Sequence, residues 1–235
     1  MNTATEIFGI WSDELENRLD PFFYQSYFKE LEKQLGKSRF KLTKLAEICS
    51  AVRGVTYSSD DEAEDGIKIL RANNITLATN EINLDEVRTI RADFSVEEKQ
   101  RLKAGDILMS AASGSKAHVG KVAYFSKDTD FYFGSFMMVL RVNNEMVSAQ
   151  YLFEFLSSKI FRELLSRILG GTNINNLNFS MIENFLIPLP PLSVQTEVAK
   201  AACKNRAKAR QLEEEARKVL ASIDGYVLDE LGIKI

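Results

Sequence analysis

The sequence predicts an α+β fold: a mixed α/β domain followed by a long coiled-coil-type C-terminal helix. The clearest observation is where the prolines fall. Three of the four, Pro188, Pro190 and Pro191, cluster together, and the 33 residues from Leu192 to Asp224 contain neither proline nor glycine. Proline holds the preceding residue extended and cannot continue a helix, so the cluster is a stiff stop after which one uninterrupted helix can run. A second observation is the alternation, between Phe40 and Val142, of short apolar stretches with glycine-bearing turns, flanked on both sides by helical periodicity. The boundary therefore falls between a domain over residues 1–191 and a helix over 192–235.

From the N-terminus, Phe22, Phe23, Tyr27, Leu31 and Leu35 recur at a spacing that suits an amphipathic helix over Pro21–Leu35, with Gly36 placed to end it. Phe40 to Val55 reads as a strand running into a turn at Arg53-Gly54. The acid-rich stretch Asp60–Asp65 reads as a solvated turn, and Ile67–Leu77 as a strand meeting a loop at Asn73-Asn74. Ser95 followed by Glu98 has the capping-box pattern of a short helix reaching Leu102. Strands are expected at Ile107–Met109 and Lys121–Phe125, joined by a flexible loop of small and polar residues, Ser110–Gly120. Phe131–Val142 is rich enough in aromatic and β-branched residues for a single core strand. Tyr151–Leu169 reads as one strong helix closed by Gly170-Gly171.

Within the last helix, Val198, Ala202, Asn205, Ala209, Leu212, Ala216, Val219, Ile223 and Tyr226 follow one another at alternating steps of four and three. That is a heptad seam with one polar position, Asn205. A helix reaching Leu231 would extend about 60 Å, too long to bury its seam on its own domain. The seam predicts a partner helix, and a homodimer is the simplest way to supply one.

Composition narrows the class. With 45% hydrophobic and 27% charged residues, the 235-residue chain resembles an ordinary soluble protein. No apolar stretch is long enough to span a bilayer, and the N-terminus lacks a signal-peptide core. The two cysteines, Cys49 and Cys203, are expected to be buried thiols in a reducing cytoplasm. The formal charge of −3 is unevenly spread. Ile107–Lys127 and Leu164–Met181 contain no acid, and the first of these holds Lys116, Lys121, Lys127 and the only histidine, His118. Phosphate attraction is local, so such clustering matters more than the sum.

No motif for catalysis is found. Gly114–Lys121 has one residue too many between its glycines for a phosphate-binding P-loop, and Val122 stands where a hydroxyl should hold magnesium. His118 has no second ligand for a metal, and no cofactor fingerprint occurs. What remains is a set of donors. Ser110, Ser113, Ser115, Lys116, His118 and Lys121 lie in one loop, and Thr172, Asn173, Asn175, Asn176 and Asn178 in another. Lysine and hydroxyl side chains hold phosphates, and asparagine can pair with adenine in the major groove. The asparagines could equally be turn formers.

The turn LKAGDILMS, the loop ending VGKVAYF, the run GGTNINNLNFSMIENFLIPLPPL, the helix start SVQTEVAK and the early RLDPFFY together resemble the specificity (S) subunit of type I restriction-modification enzymes. The resemblance covers nearly the whole chain. It implies a non-catalytic subunit whose target recognition domain reads one half of a split DNA sequence. The long helix would act as a spacer and as the dock for the modification (methyltransferase) subunit, alongside a restriction (motor/endonuclease) subunit. Family members usually carry two recognition domains and two helices, whereas this chain has one of each. Its methionine start and C-terminal GYVLDELGIKI suit a half-length subunit that pairs with itself better than an excised half. The expected DNA contacts are Ser113, Ser115, Lys116, His118, Lys121, Thr172, Asn173 and Asn175, with Arg53, Arg71 and Asn73 in earlier loops. Two other readings stay open: the specificity part of a fused restriction-methyltransferase, or a dimerisation scaffold that binds no DNA.

Overall fold

Asp20 caps the turn that leads into the first helix. Its carboxylate accepts from the Phe23 amide at 3.1 Å, Pro21 occupies the first turn, and helix α1 (Ser26–Gly36) follows, burying Phe28 and Leu35. The computed structural model describes residues 7–16, 18–76, 79–115, 118–170 and 176–233, except for the side chain of Asp224. After α1 the chain lays down β1 (Lys41–Lys44), β2 (Cys49–Arg53), β3 (Glu62–Leu70), β4 (Arg88–Ile90), β5 (Ile107–Ser110), β6 (Val122–Tyr124), β7 (Tyr132–Phe133) and β8 (Met137–Val142). Helices α2 (Ala149–Leu156) and α3 (Lys159–Leu169), strand β9 (Leu186–Leu189) and helix α4 (Leu192–Glu230) complete it.

The central sheet is four-stranded and antiparallel, in the order β2-β8-β5-β6. Side chains alternate across it. Ile107, Met109, Met138 and Leu140 face the core shared with α2 and α3, while Leu108, Met137 and Val139 face Leu70, Ile75 and Phe133 on the other side. Both faces are covered, which is why β5 and β8 read as continuous apolar runs. A three-stranded sheet, β4-β3-β7, lies beyond, with β3 antiparallel to β4 and parallel to β7.

Several expected elements are divided or shortened. The helix over Tyr151–Leu169 is two helices, because the Ser158 hydroxyl accepts from the Phe161 amide and starts α3 afresh. The strand over Phe131–Val142 breaks at Gly134, where the Met137 amide donates back to the Gly134 carbonyl at 2.8 Å and turns the chain. The helix expected from Ser95 is a single 3₁₀ turn, Glu98–Gln100, entered through Glu97. Most of the acidic stretch is exposed strand, since Glu62 begins β3. Gly170 caps α3 in an extended rather than left-handed conformation. A side chain there would strike the Phe22 ring at 1.9 Å, so packing, not φ, demands glycine.

The body joins α4 through a tight connection. Strand β9 pairs antiparallel with β1, Lys41 opposite Leu189, and the Tyr151 hydroxyl donates to the Pro188 carbonyl at 2.6 Å. Gln195 is fully buried. Its Nε2 donates to the carbonyls of Met146 and Pro190, and its Oε1 accepts from the Ser148 amide. Farther along, Ala199 packs in, Arg206 bonds to Glu154, Ser157 and the Thr79 carbonyl, and Arg210 pairs with Glu81. Helix α4 is 39 residues long, as the proline pattern predicts.

Past Arg210 the helix is solvent-exposed, with Leu212, Val219, Leu220, Ile223 and Tyr226 uncovered. Within the heptad seam Ala202 is partly covered, whereas Val198, Asn205, Ala209 and Ala216 are exposed. Cys203 is exposed on this helix, contrary to the expected burial, while Cys49 is buried. No helix among the described residues is long and apolar enough to cross a membrane.

Candidate nucleic-acid interface

Four chain segments meet at one rim of the body. Arg53 ends β2, opposite Met138, and its guanidinium reaches across to Asn176 Oδ1 at 3.1 Å and Asn178 Oδ1 at 2.8 Å. A longer bond runs from Arg53 to the Ser135 carbonyl at 3.5 Å. Burial nudges the Arg53 pKa down, but a guanidinium remains charged at any working pH. The segment carrying Asn176 is held by an antiparallel bridge to Ala112 and by the Leu177 amide donating to the Ala111 carbonyl at 2.6 Å. Ala111 and Ala112 in turn donate to the Phe136 carbonyl at 2.8 and 3.0 Å. These bonds fix the β5 exit, the β7–β8 turn and the 176–178 segment to one another.

The 3₁₀ turn Ala72–Asn74 forms the other side. Asn74 is buried. Its Oδ1 accepts from the Arg71 amide, and its Nδ2 donates to the carbonyls of Asn83 and Glu86. Asn73 is thereby left exposed beside Arg71. Between the two sides lies a cleft of about 530 Å³ lined by Tyr57, Ser58, Arg71, Asn73, Ser135 and Phe136, among others. The one carboxylate among its described lining residues, Glu62, is paired with Arg88 at 3.0 Å. The cleft thus offers hydroxyl, amide and guanidinium donors, with Arg71 as a cation.

The candidate residues divide between four situations. Arg53, Arg71 and Asn73 come together on this face, with Ser113 and Ser115 on the adjoining loop, where the Ser115 amide donates to the Ser113 hydroxyl at 3.3 Å. His118 is half-buried, its carbonyl and amide tied into the turn toward Lys121. Lys116, Thr172, Asn173 and Asn175 lie outside the described residues.

Lys121 requires a correction. Its side chain is buried, and its ammonium donates to the carbonyls of Ala72 at 2.7 Å and Ile75 at 2.6 Å. It cannot hold a phosphate from there. It holds the turn that presents Arg71 and Asn73, and burial, helped by the Arg162 charge, lowers its pKa. Ser110 is buried as well and leaves the list of donors.

Sequence reasoning missed Tyr57, Ser135 and Phe136 as parts of this face. Gly134-Ser135 was the available signal, since that pair interrupts an otherwise apolar run where a turn can form.

A mixed α/β binding head that presents its donors on short loops, mounted on a helical arm, is the class of protein these features define. The family follows from comparison with known proteins. A model of the type I restriction modification DNA specificity domain matches residues 37–213, and the chain belongs to that family. It is 29% identical over 159 residues to the type I restriction enzyme EcoKI specificity subunit of Escherichia coli K12, covering 66% of this chain and 33% of that protein. Identity to the StySPI specificity subunit of Salmonella potsdam is 30%, covering 66% of this chain and 34% of the relative. The chain spans about a third of the length of these curated relatives. Among solved structures, the S subunit of a type I restriction-modification system from M. genitalium superposes with a TM-score of 0.54 at 14% identity, covering 87% of this chain and 49% of that one. The HsdS subunit from Thermoanaerobacter tengcongensis gives 0.54 at 15% identity, covering 86% and 50%. At these identities the likeness is one of fold.

Proposed function

We propose that this chain is a non-catalytic DNA-reading subunit of a type I restriction-modification system, working in the cytoplasm. Residues 1–191 are the reading head for one half of a split target. Residues 192–235 form the arm that docks modification (methyltransferase) subunits and, through them, a restriction (motor/endonuclease) subunit. The observation that carries this reading is the rim where Arg53, Arg71, Asn73, Asn176 and Asn178 are gathered from three separate segments onto a rigid frame. Base edges in a groove are read by such side chains, with Arg pairing to guanine and Asn to adenine. Lys116, Thr172, Asn173 and Asn175 stay candidates for DNA contact on their residue type alone, as lysine, hydroxyl and amide donors.

The exposed stripe Leu212, Val219, Ile223 supports association through the distal arm, because burying one such side chain contributes about 1.5–3 kcal/mol. A homodimer would then present two heads to inverted half-sites.

Fluorescence anisotropy over a salt series tests the DNA reading. The full chain should bind duplex DNA with a steep salt dependence. Arg53→Ala should weaken that binding several-fold while changing stability by no more than about 0.5 kcal/mol, as an exposed substitution does. A salt-independent signal, or none, would favour the scaffold reading. Sedimentation of the chain with Leu212, Val219 and Ile223 all replaced by Ser should give a monomer where the native chain associates.

A further inference from the structure

Phe136 sits at the tip of the β7–β8 turn and is 69% exposed. Among the described large apolar side chains only Ile7, Trp11 and Leu19, all in the N-terminal segment, are more exposed. Nothing in folding accounts for an aromatic ring in this position, since its burial would remove roughly 150–250 Å² from water. The backbone beneath it is unusually well fixed. Its carbonyl accepts two amides, from Ala111 and Ala112, the Ser135 amide donates to the Val55 carbonyl at 2.8 Å, and the next residue, Met137, is fully buried. A ring held out from a rigid turn gives up little freedom when a partner covers it. Its neighbours point to that partner. Arg71 and Asn73 share its cleft, and Arg53 with Asn176 and Asn178 stands beside Ser135 on the other side.

Polar side chains of this kind pair with base edges in the major groove. The one apolar group exposed on a base edge there is the 5-methyl of thymine, which Phe can cover. An intercalating wedge would instead be a minor-groove device. We propose that Phe136 is a specificity-determining residue that packs on a thymine methyl within the recognised half-site. This rests on the DNA-reading function proposed above and names one side chain that sets the sequence read.

The test starts from selection by the full chain from a randomised duplex pool. If no sequence is enriched, the DNA-reading function fails, and this assignment with it. If one is enriched, Phe136→Ala should bind that duplex about tenfold more weakly, the scale of one lost base contact. Its affinity for a scrambled duplex, its salt slope and its melting temperature should stay as in the native chain. Repeating the selection with Phe136→Ala should give the same site with one position relaxed. Deoxyuridine in place of thymine at that position should weaken the native chain by a similar factor and leave the variant unaffected. Unchanged affinity and site, or equal losses on both duplexes, would overturn the assignment. So would a loss that ignores deoxyuridine at every thymine; fluorescence from 2-aminopurine would then identify insertion between bases. Phe136→Leu, which keeps an apolar group, should retain part of the discrimination.

Discussion

At the joint, Gln195 is fully buried and its amide is bonded to three separate backbone groups, whereas on the donor rim Arg53 and Asn73 stand in solvent on an equally rigid frame. Both regions depend on polar side chains for their geometry. The joint turns its donors inward and closes them against backbone, so its polarity is spent on geometry. The rim uses buried polar groups, Asn74 and Lys121, only as supports, and leaves the outer layer open. Buried polar groups are costly unless satisfied, so satisfied ones fix shape, while exposed ones remain available to a ligand.

This contrast predicts separable effects. Gln195→Leu leaves the Ser148 amide and the Met146 and Pro190 carbonyls without their partner, at about 1–3 kcal/mol for each group that stays buried. A loss of about 3 kcal/mol or more is expected, lowering Tm by roughly 6–12 °C in a chain of this size. Calorimetry showing a drop under about 2 °C would mean that water replaces the amide and that the joint is softer than it looks. Lys121→Met strips the Ala72 and Ile75 carbonyls of their donor and should cost about 2 kcal/mol. Here the salt slope of DNA binding sharpens the comparison. A support residue should leave it unchanged, while a phosphate contact would reduce it by about 0.9.

The smallest effect is a chemical one. Burial pushes the Cys49 thiol up to about 12, so it stays protonated at pH 8, whereas Cys203 lies exposed on α4. Iodoacetamide at pH 8 should modify one thiol in the native chain and both in denaturant. Rapid modification of Cys49 would mean that the β2 end of the core opens.

Elements bounded by proline or glycine were legible in the sequence. The three prolines before Leu192 located α4, and Gly36 closes α1 where the periodicity stops. Elements interrupted by hydrogen bonds were not. Ser157-Ser158 offers only a cap-type serine pair inside a strong helical periodicity, and the break depends on the Ser158 hydroxyl reaching the Phe161 amide. The site was legible as a set of loops but not as a surface. Arg53, Arg71 and Asn73 could be picked as cations and amides beside turns. Their convergence depends on strand order, which places β8 between β2 and β5. Lys121 shows the converse error, a lysine in a polar loop whose tertiary surroundings turn it inward.

Anchored along its first half, from Gln195 to Arg210, and exposed beyond it, α4 behaves as a lever. From Gln195 to Glu230 it extends about 52 Å, so tilting it by about 4° displaces the tip by roughly 3.6 Å. One base pair rises about 3.4 Å, so in a reader of split sites that tilt is an error of one base pair in the spacer. The angular tolerance of the arm is then set by the three hydrogen bonds of one glutamine and the two arginines behind it, Arg206 and Arg210, none of which lies on the donor rim.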